Sequence, residues 1–259
     1  MTWTTRQRSD LGPLAAVVAG QGPDIVLLHG VGLRAEAWNA QIDALAGHCR
    51  VSAIDLPGHG RSVRLTAPSG VADYTDAVAS CLAGPALIVG HSFGAMIALD
   101  MAARHPRRVL AVVALNAIKG RSPTAAQAVQ SRAANLDGTT NPDPGPTLHR
   151  WFGATVSPER TACEAWLTQT DPAGYKSAYT VFANADGPTD ADLRALGCPA
   201  LFATGADEPN STPAMSHHMA ELAPHGRALI VAGAAHMMPV THPGIVNDSL
   251  HRFASEVFG

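Results

Sequence analysis

The sequence predicts an α/β fold: a mostly parallel central sheet with helices on both faces and a small helical cap inserted between its strands. Three observations carry that reading. Short apolar runs ending in Gly or Asn recur along the chain, longer amphipathic stretches separate them, and one middle span holds helical patterns without a convincing strand. Near-continuous apolar runs suit strands covered on both faces, and their alternation with helices suits parallel pairing.

The strand candidates in order are "DIVLLHG" (24–30), "RVSAIDLPG" (50–58), "PALIVG" (85–90), "RVLAVVALN" (108–116), "PALFATG" (199–205) and "RALIVAG" (227–233). Between them the spacing predicts helices over 36–46, 71–83, 92–104, 212–223 and 243–258. From about 119 to 190 the pattern changes to helix-like pieces, "SPTAAQAVQSRAANL", "SPERTACEAWLTQT" and "GYKSAYTVFANA", with a loop "DGTTNPDPGPT". A structureless segment of that length is rare in a domain, whereas a helical insertion is ordinary. The expected organisation is a core of residues 1–118 and 191–259 with a cap of residues 119–190.

Composition narrows the partners. The chain has 259 residues, 46% hydrophobic, with a net charge of −3 and no Lys/Arg cluster. That balance argues against nucleic acid or an anionic membrane surface. No apolar run reaches the roughly 20 residues of a membrane span. The polar start, "MTWTTRQRSD", lacks a signal-type apolar core, so a cytoplasmic protein is expected. Cys49, Cys81, Cys163 and Cys198 lie far apart without CxxC pairing and read as buried thiols in a reducing compartment. A homodimer stays open, because exposed faces cannot be ranked from sequence.

The chemistry concentrates in "LIVGHSFGAMIALDMA" (87–102), where a strand meets Gly-x-Ser-x-Gly and a helix opens at once. A strand reversing sharply into a helix leaves no room for side chains beside the apex, which explains Gly90 and Gly94. Ser92 is thereby exposed at the carboxyl end of the sheet, at a helix N-terminus where N–H groups favour developing negative charge. A strand–Gly-x-Ser-x-Gly–helix unit is a nucleophile elbow. A Gly-rich turn with an N-capping serine would show the same letters, so further features must decide.

Three of them converge. "LLHGVG" (27–32) ends an earlier strand, where Val31 N–H, together with Phe93 N–H, would form a two-donor oxyanion hole. "VAGAAHMMPVTHP" places His236 in a loop after a late strand, and "TGADEPNSTP" places acids after the strand before it. Serine, acid and histidine thus follow the chain order of a strand-topped hydrolytic triad. His29 is read as a loop brace, Asp55 as a support for the glycine-rich turn behind it, and His59 as a turn residue. "SHHMAEL" reads as an exposed helix face. The scattered histidines lack metal-site spacing, so neither a metal nor an organic cofactor is expected.

With "HGVGLRAEAW" (29–38), "DLPGHGRS" (55–62), "GHSFGAMIALDMAARHPRRV" (90–109), "TGADEPNSTP" (204–213) and "GAAHMMPVTHP" (233–243), the chain resembles the α/β-hydrolase fold superfamily nearly end to end. The resemblance implies a sheet of about eight strands with the helical cap after the sixth, Ser92 as nucleophile, His236 as base and main-chain donors at Val31 and Phe93. It implies an acid three residues after the strand-ending glycine, which from Gly205 is Glu208. Asp207, next door, is the commoner residue type; register favours Glu208, and both stay open.

Trp38, Trp151, Phe152 and Trp166 are candidate pocket residues, and Arg34 a candidate for a substrate carboxylate. The cap, 146–175, is similar to those of small-capped members, including enol-lactone hydrolases and aminoacrylate-type hydrolases. It carries Arg150, Glu159, Arg160 and Glu164, with Lys176 just beyond, unlike a lipid lid. A small ester, enol lactone or related polar acyl compound, carboxylated ones included, is therefore the expected substrate, cleaved through an acyl-enzyme. The same scaffold also supports C–C bond hydrolysis, perhydrolysis and lyase chemistry, and a few members are non-catalytic ligand receptors. Serine at position 92 argues against the Asp and Cys nucleophiles of dehalogenases and dienelactone hydrolases.

Overall fold

The apolar runs become strands because branched side chains pack on both faces of a pleated surface. The structure, a computed structural model, describes Trp3 and residues 5–259. The strands are β1 (Ser9–Leu11), β2 (Leu14–Ala19), β3 (Asp24–Leu28), β4 (Arg50–Ile54), β5 (Ala86–His91), β6 (Val109–Leu115), β7 (Ala200–Gly205) and β8 (Gly226–Val231). Among the described residues they form one sheet in the order β1-β2-β4-β3-β5-β6-β7-β8. β1 and β2 pair antiparallel with each other, β2 pairs antiparallel with β4, and every other pairing is parallel. That is the predicted class. The strand order turns back at β3, with β4 on one side and β5 on the other, and such a switch opens a crevice at the carboxyl ends of the strands.

The helices are α1 (Asn39–Leu45), entered through a 3-10 turn at Ala35–Trp38, α2 (Val71–Ser80), α3 (Phe93–Arg104), α4 (Pro123–Ala134), α5 (Gly145–Phe152), α6 (Pro158–Gln169), α7 (Pro172–Asn184), α8 (Asp190–Arg194), α9 (Pro213–Leu222), α10 (Met238–Thr241) and α11 (Pro243–Phe258). Ser122, Ser157, Asp171 and Thr212 cap α4, α6, α7 and α9 by accepting backbone N–H groups, each followed by proline in the first turn. Proline there loses no helical hydrogen bond. The same rule corrects the reading of 137–147 as a loop. Its last residues belong to α5, whose Pro146 starts the helix rather than breaking it.

Alternation along the strands divides the core. Val26, Leu28, Ile88 and Phe202 face α2, α3 and α9, while Ile25, Leu27, Val89 and Val113 face α1 and α11. Helices α4 to α8 all lie between β6 and β7 in the chain. Trp166, Tyr175 and Tyr179 of this group pack with Leu33, Met237 and Val240 from the loops above the sheet. No helix among the described residues is long and apolar enough to cross a membrane.

Candidate active site

Ser92 follows the last residue of β5 and precedes the first of α3, with φ +56° and ψ −114°. A Cβ on Gly90 would lie 2.1 Å from Gly94 O, and one on Gly94 would lie 2.1 Å from Leu28 O. The reversal can therefore be built only with glycine on either side. Phe93 opens α3, so its N–H lies outside the helical i to i−4 pattern.

The opposite wall is the turn after β3. Leu33 N–H closes it on Gly30 O at 3.2 Å, and Gly32 N–H donates to His59 Nε2 at 3.0 Å, leaving Val31 between them on the cavity wall. In return Leu56 N–H donates to His29 Nε2 at 3.0 Å. Two buried imidazoles thus clamp the loops after β3 and β4 together. Asp55 completes the clamp by accepting from Ala35 N–H (2.8 Å) and Arg61 N–H (3.0 Å) while pairing with buried Arg8. Arg8 also bridges to Glu36 at 2.6 Å. His29, His59 and Asp55 therefore shape backbone.

His236 lies in the loop after β8. Its Nδ1 is 2.8 Å from Glu208 Oε2, and the Glu208 side chain is fully buried. Beside a carboxylate Nδ1 must carry the proton, so Nε2 is left as the bare acceptor. Glu208 Oε1 accepts from Asn210 N–H (2.7 Å) and Ser211 N–H (3.3 Å). Burial alone would raise the Glu208 pKa; the His236 bond and charge and the two backbone donors outweigh it and hold the pKa at about 2. Asp207 is exposed and donates its own N–H to Ala234 O. Of the two adjacent acids, the structure brings Glu208 to the imidazole.

His236 sits between two rings. Trp151 of α5 stacks on it at 5.8 Å and 20°, and His91 approaches at 5.1 Å, its Nε2 donating to His236 O at 2.7 Å. Ser92, Val31, His91 and His236 line one cavity of about 520 Å³, roofed by Trp151, Tyr179 and Phe182. That volume is typical of small-molecule sites. Among the described residues no hydrogen bond joins Ser92 to His236, and catalytic hydrogen bonds are often long in the absence of substrate.

Four candidate pocket residues fall outside this cavity, among them Trp166, which is buried in the cluster of Cys163, Leu167 and Tyr175. Trp38 is 1% exposed and packs beneath the sheet among Ile25, Leu27 and Ile42, because the 3-10 turn points it inward. Arg34 reaches outward to Gln169 (3.4 Å) instead of to the cavity. Phe152, one residue after Trp151, packs against the hydrophobic cluster of Leu148, Trp166 and Tyr179 and does not line the cavity. Conversely, Arg121 and Arg132 line the cavity although their sequence surroundings give no sign of it. Among the described residues no group of three or more His, Cys, Asp or Glu side chains is placed to hold a metal ion.

The buried histidines make acid the expected denaturant. Burial pulls the His91 pKa down to about 3, with repulsion from His236 adding to it; burial brings His59 to about 4 and His29 well below its usual value. The unfolded chain takes up these protons from about pH 6.5 downward, the folded chain only below its depressed values. Stability is therefore full above pH 6.5 and falls between 6.5 and about 4, by up to about 1.4 kcal/mol per pH unit for each imidazole. Calorimetric melts from pH 7.5 to 4.5 should show a steep fall in Tm; a flat profile would contradict the neutral clamp.

Comparison with known proteins places the chain in a family. Residues 25–249 match the model of the Alpha/beta hydrolase family. The chain belongs to that family. It is 36% identical over 244 residues to the (E)-2-((N-methylformamido)methylene)succinate hydrolase of Acinetobacter baylyi, covering 89% of this chain and 90% of that protein. It is 30% identical over 251 residues to the pimeloyl-(acyl-carrier protein) methyl ester esterase of Xanthomonas oryzae pv. oryzae, covering 93% of this chain and 98% of that protein. The enol-lactonase from Burkholderia xenovorans LB400 shares the fold of this alpha/beta hydrolase with a TM-score of 0.83 at 23% identity, over 96% of this chain and all of that one.

Proposed function

We propose that this alpha/beta hydrolase is a cofactor-independent serine hydrolase cleaving a small ester, enol lactone or related acyl substrate through an acyl-enzyme. One observation carries the reading: an imidazole held at Nδ1 by a buried carboxylate lines the same cavity as a serine on a strained elbow. In this mechanism Ser92 Oγ attacks the acyl carbon as its proton passes to His236 Nε2. The carbonyl electron pair moves to oxygen, which Val31 and Phe93 N–H groups receive. One such donor is typically worth about 3 to 4 kcal/mol of barrier. The intermediate collapses, the imidazolium protonates the leaving group, and water activated by the same imidazole releases the acid.

The Acinetobacter relative, named for a methylenesuccinate derivative, supports small polar acyl compounds over long-chain lipids. Four free cysteines suit a reducing, cytoplasmic setting. A fluorophosphonate probe tests the proposal. Stoichiometric labelling of the wild-type chain, lost in Ser92→Ala, is the expected result, while a chain that takes up no probe would count against an activated serine.

A further inference from the structure

The cavity carries a charge imbalance that hydrolysis alone does not use. Arg121, Arg132 and Arg150 line it, and no acidic side chain does. Arg121 is accounted for: the carbonyls of Ala185 and Phe182 take its N–H groups, its guanidinium lies 4.5 Å over the Phe182 ring, and Asp186 stands 3.8 Å away. The other two have only neutral partners. Arg132 donates to the Tyr179 hydroxyl at 3.2 Å and Arg150 to the Thr147 hydroxyl at 2.9 Å. Among the described residues neither is paired with a carboxylate.

Arg150 shows the consequence. Desolvation first, and then repulsion from Arg132, make its charged form harder to keep. A folded protein seldom holds two like charges on one partly buried wall without a counter-charge, because each loses hydration and gains no opposing charge in return. Each guanidinium offers five N–H donors in a planar fork and uses few of them here. The missing partner is an anion supplied from outside.

We propose that Arg132 and Arg150 form a dicarboxylate-binding subsite, so that the substrate is a small acyl compound bearing two carboxylates. The proposal deepens the hydrolase reading, since the same cavity exposes Ser92. Two uncompensated cations call for two negative charges, and the guanidinium fork matches a carboxylate with paired hydrogen bonds. A neutral ester would leave both cations unpaired, and a monoacid would leave one.

Calorimetric titration of the Ser92→Ala chain with succinate, butyrate, dimethyl succinate and inorganic phosphate, at one pH and ionic strength, tests this. Succinate is expected to bind at least tenfold more tightly than butyrate or phosphate, and dimethyl succinate not at all. Arg132→Gln and Arg150→Gln, added singly and checked for folding by circular dichroism, should each weaken succinate tenfold or more. Butyrate or phosphate binding as tightly as succinate would overturn the assignment, as would either folded variant binding succinate like its parent. The two readings fail separately. A chain labelled at Ser92 by the fluorophosphonate but blind to succinate loses the subsite and keeps the hydrolase. A chain that binds succinate as expected but never labels does the reverse.

Discussion

Ser92→Gly is expected to lower kcat/KM for an activated ester by about ten-thousand-fold or more while raising the melting temperature. The first effect follows from the proposed mechanism, in which the substitution removes the attacking atom and residual catalysis rests on the oxyanion donors and binding alone. The second follows from the backbone. Ser92 holds φ +56° and ψ −114°, a region that costs a residue with a Cβ about 1 to 3 kcal/mol. Its side chain makes no capping hydrogen bond to α3, so glycine forfeits no cap. Against the relief stands the extra freedom of glycine in the unfolded chain, about 0.5 to 1 kcal/mol. A net gain near 1 kcal/mol corresponds to a rise of about 2 to 4 °C for a chain of this size. Steady-state kinetics and a melt on the same sample read both. An unchanged or lower Tm would show that the elbow is relaxed, and retained turnover would remove Ser92 from the chemistry.

The opposed signs in one substitution also explain what could be read from sequence. The elbow was legible because its letters are dictated by backbone sterics: no other residue fits at 90 or 94, where added Cβ atoms would meet carbonyl oxygens at 2.1 Å. The parallel strands were legible for a similar reason, since residues buried on both faces must be apolar throughout. The hairpin of β1 and β2 was not among the strand candidates. β1 is three residues long and mostly exposed, so it carries no apolar run. The pocket was read least well. Which way a cap side chain points depends on how its helix sits over the sheet, and that is set by contacts distant in sequence. Trp151 and Phe152 are neighbours on α5, yet one stacks on His236 and the other does not line the cavity. Arg132 belongs to a helix whose letters suggest only a polar face; its partner in the cavity, Arg150, is on a different helix.

The same kind of distant contact brings Glu208 to His236, and on the proposed mechanism Glu208→Gln is expected to lower kcat by about 10³- to 10⁴-fold while Asp207→Asn changes it by no more than about twofold. The asymmetry comes from hydrogen-bond bookkeeping around one carboxylate. Glu208 Oε1 already accepts from the N–H groups of Asn210 and Ser211, and Oε2 accepts from His236 Nδ1. Glutamine has a single acceptor oxygen. The two fixed backbone donors claim it, which turns the amide NH₂ toward Nδ1. Nδ1 must then act as acceptor, the ring proton moves to Nε2, and the imidazole can no longer take the proton of Ser92. Asp207, exposed and bonded through its backbone to Ala234, touches none of these atoms. The pH dependence carries an independent signature. Because the folded-state pKa of Glu208 is depressed to about 2, its charge stabilises the fold above pH 4.5, and that share is lost as pH falls from 4.5 toward 2. The glutamine variant should lack this lower step while keeping the histidine-driven fall that begins near pH 6.5. Nitrogen chemical shifts of the His236 ring read the tautomer directly. A glutamine variant with the proton still on Nδ1 and kcat intact would show that the carboxylate orients nothing that its amide cannot.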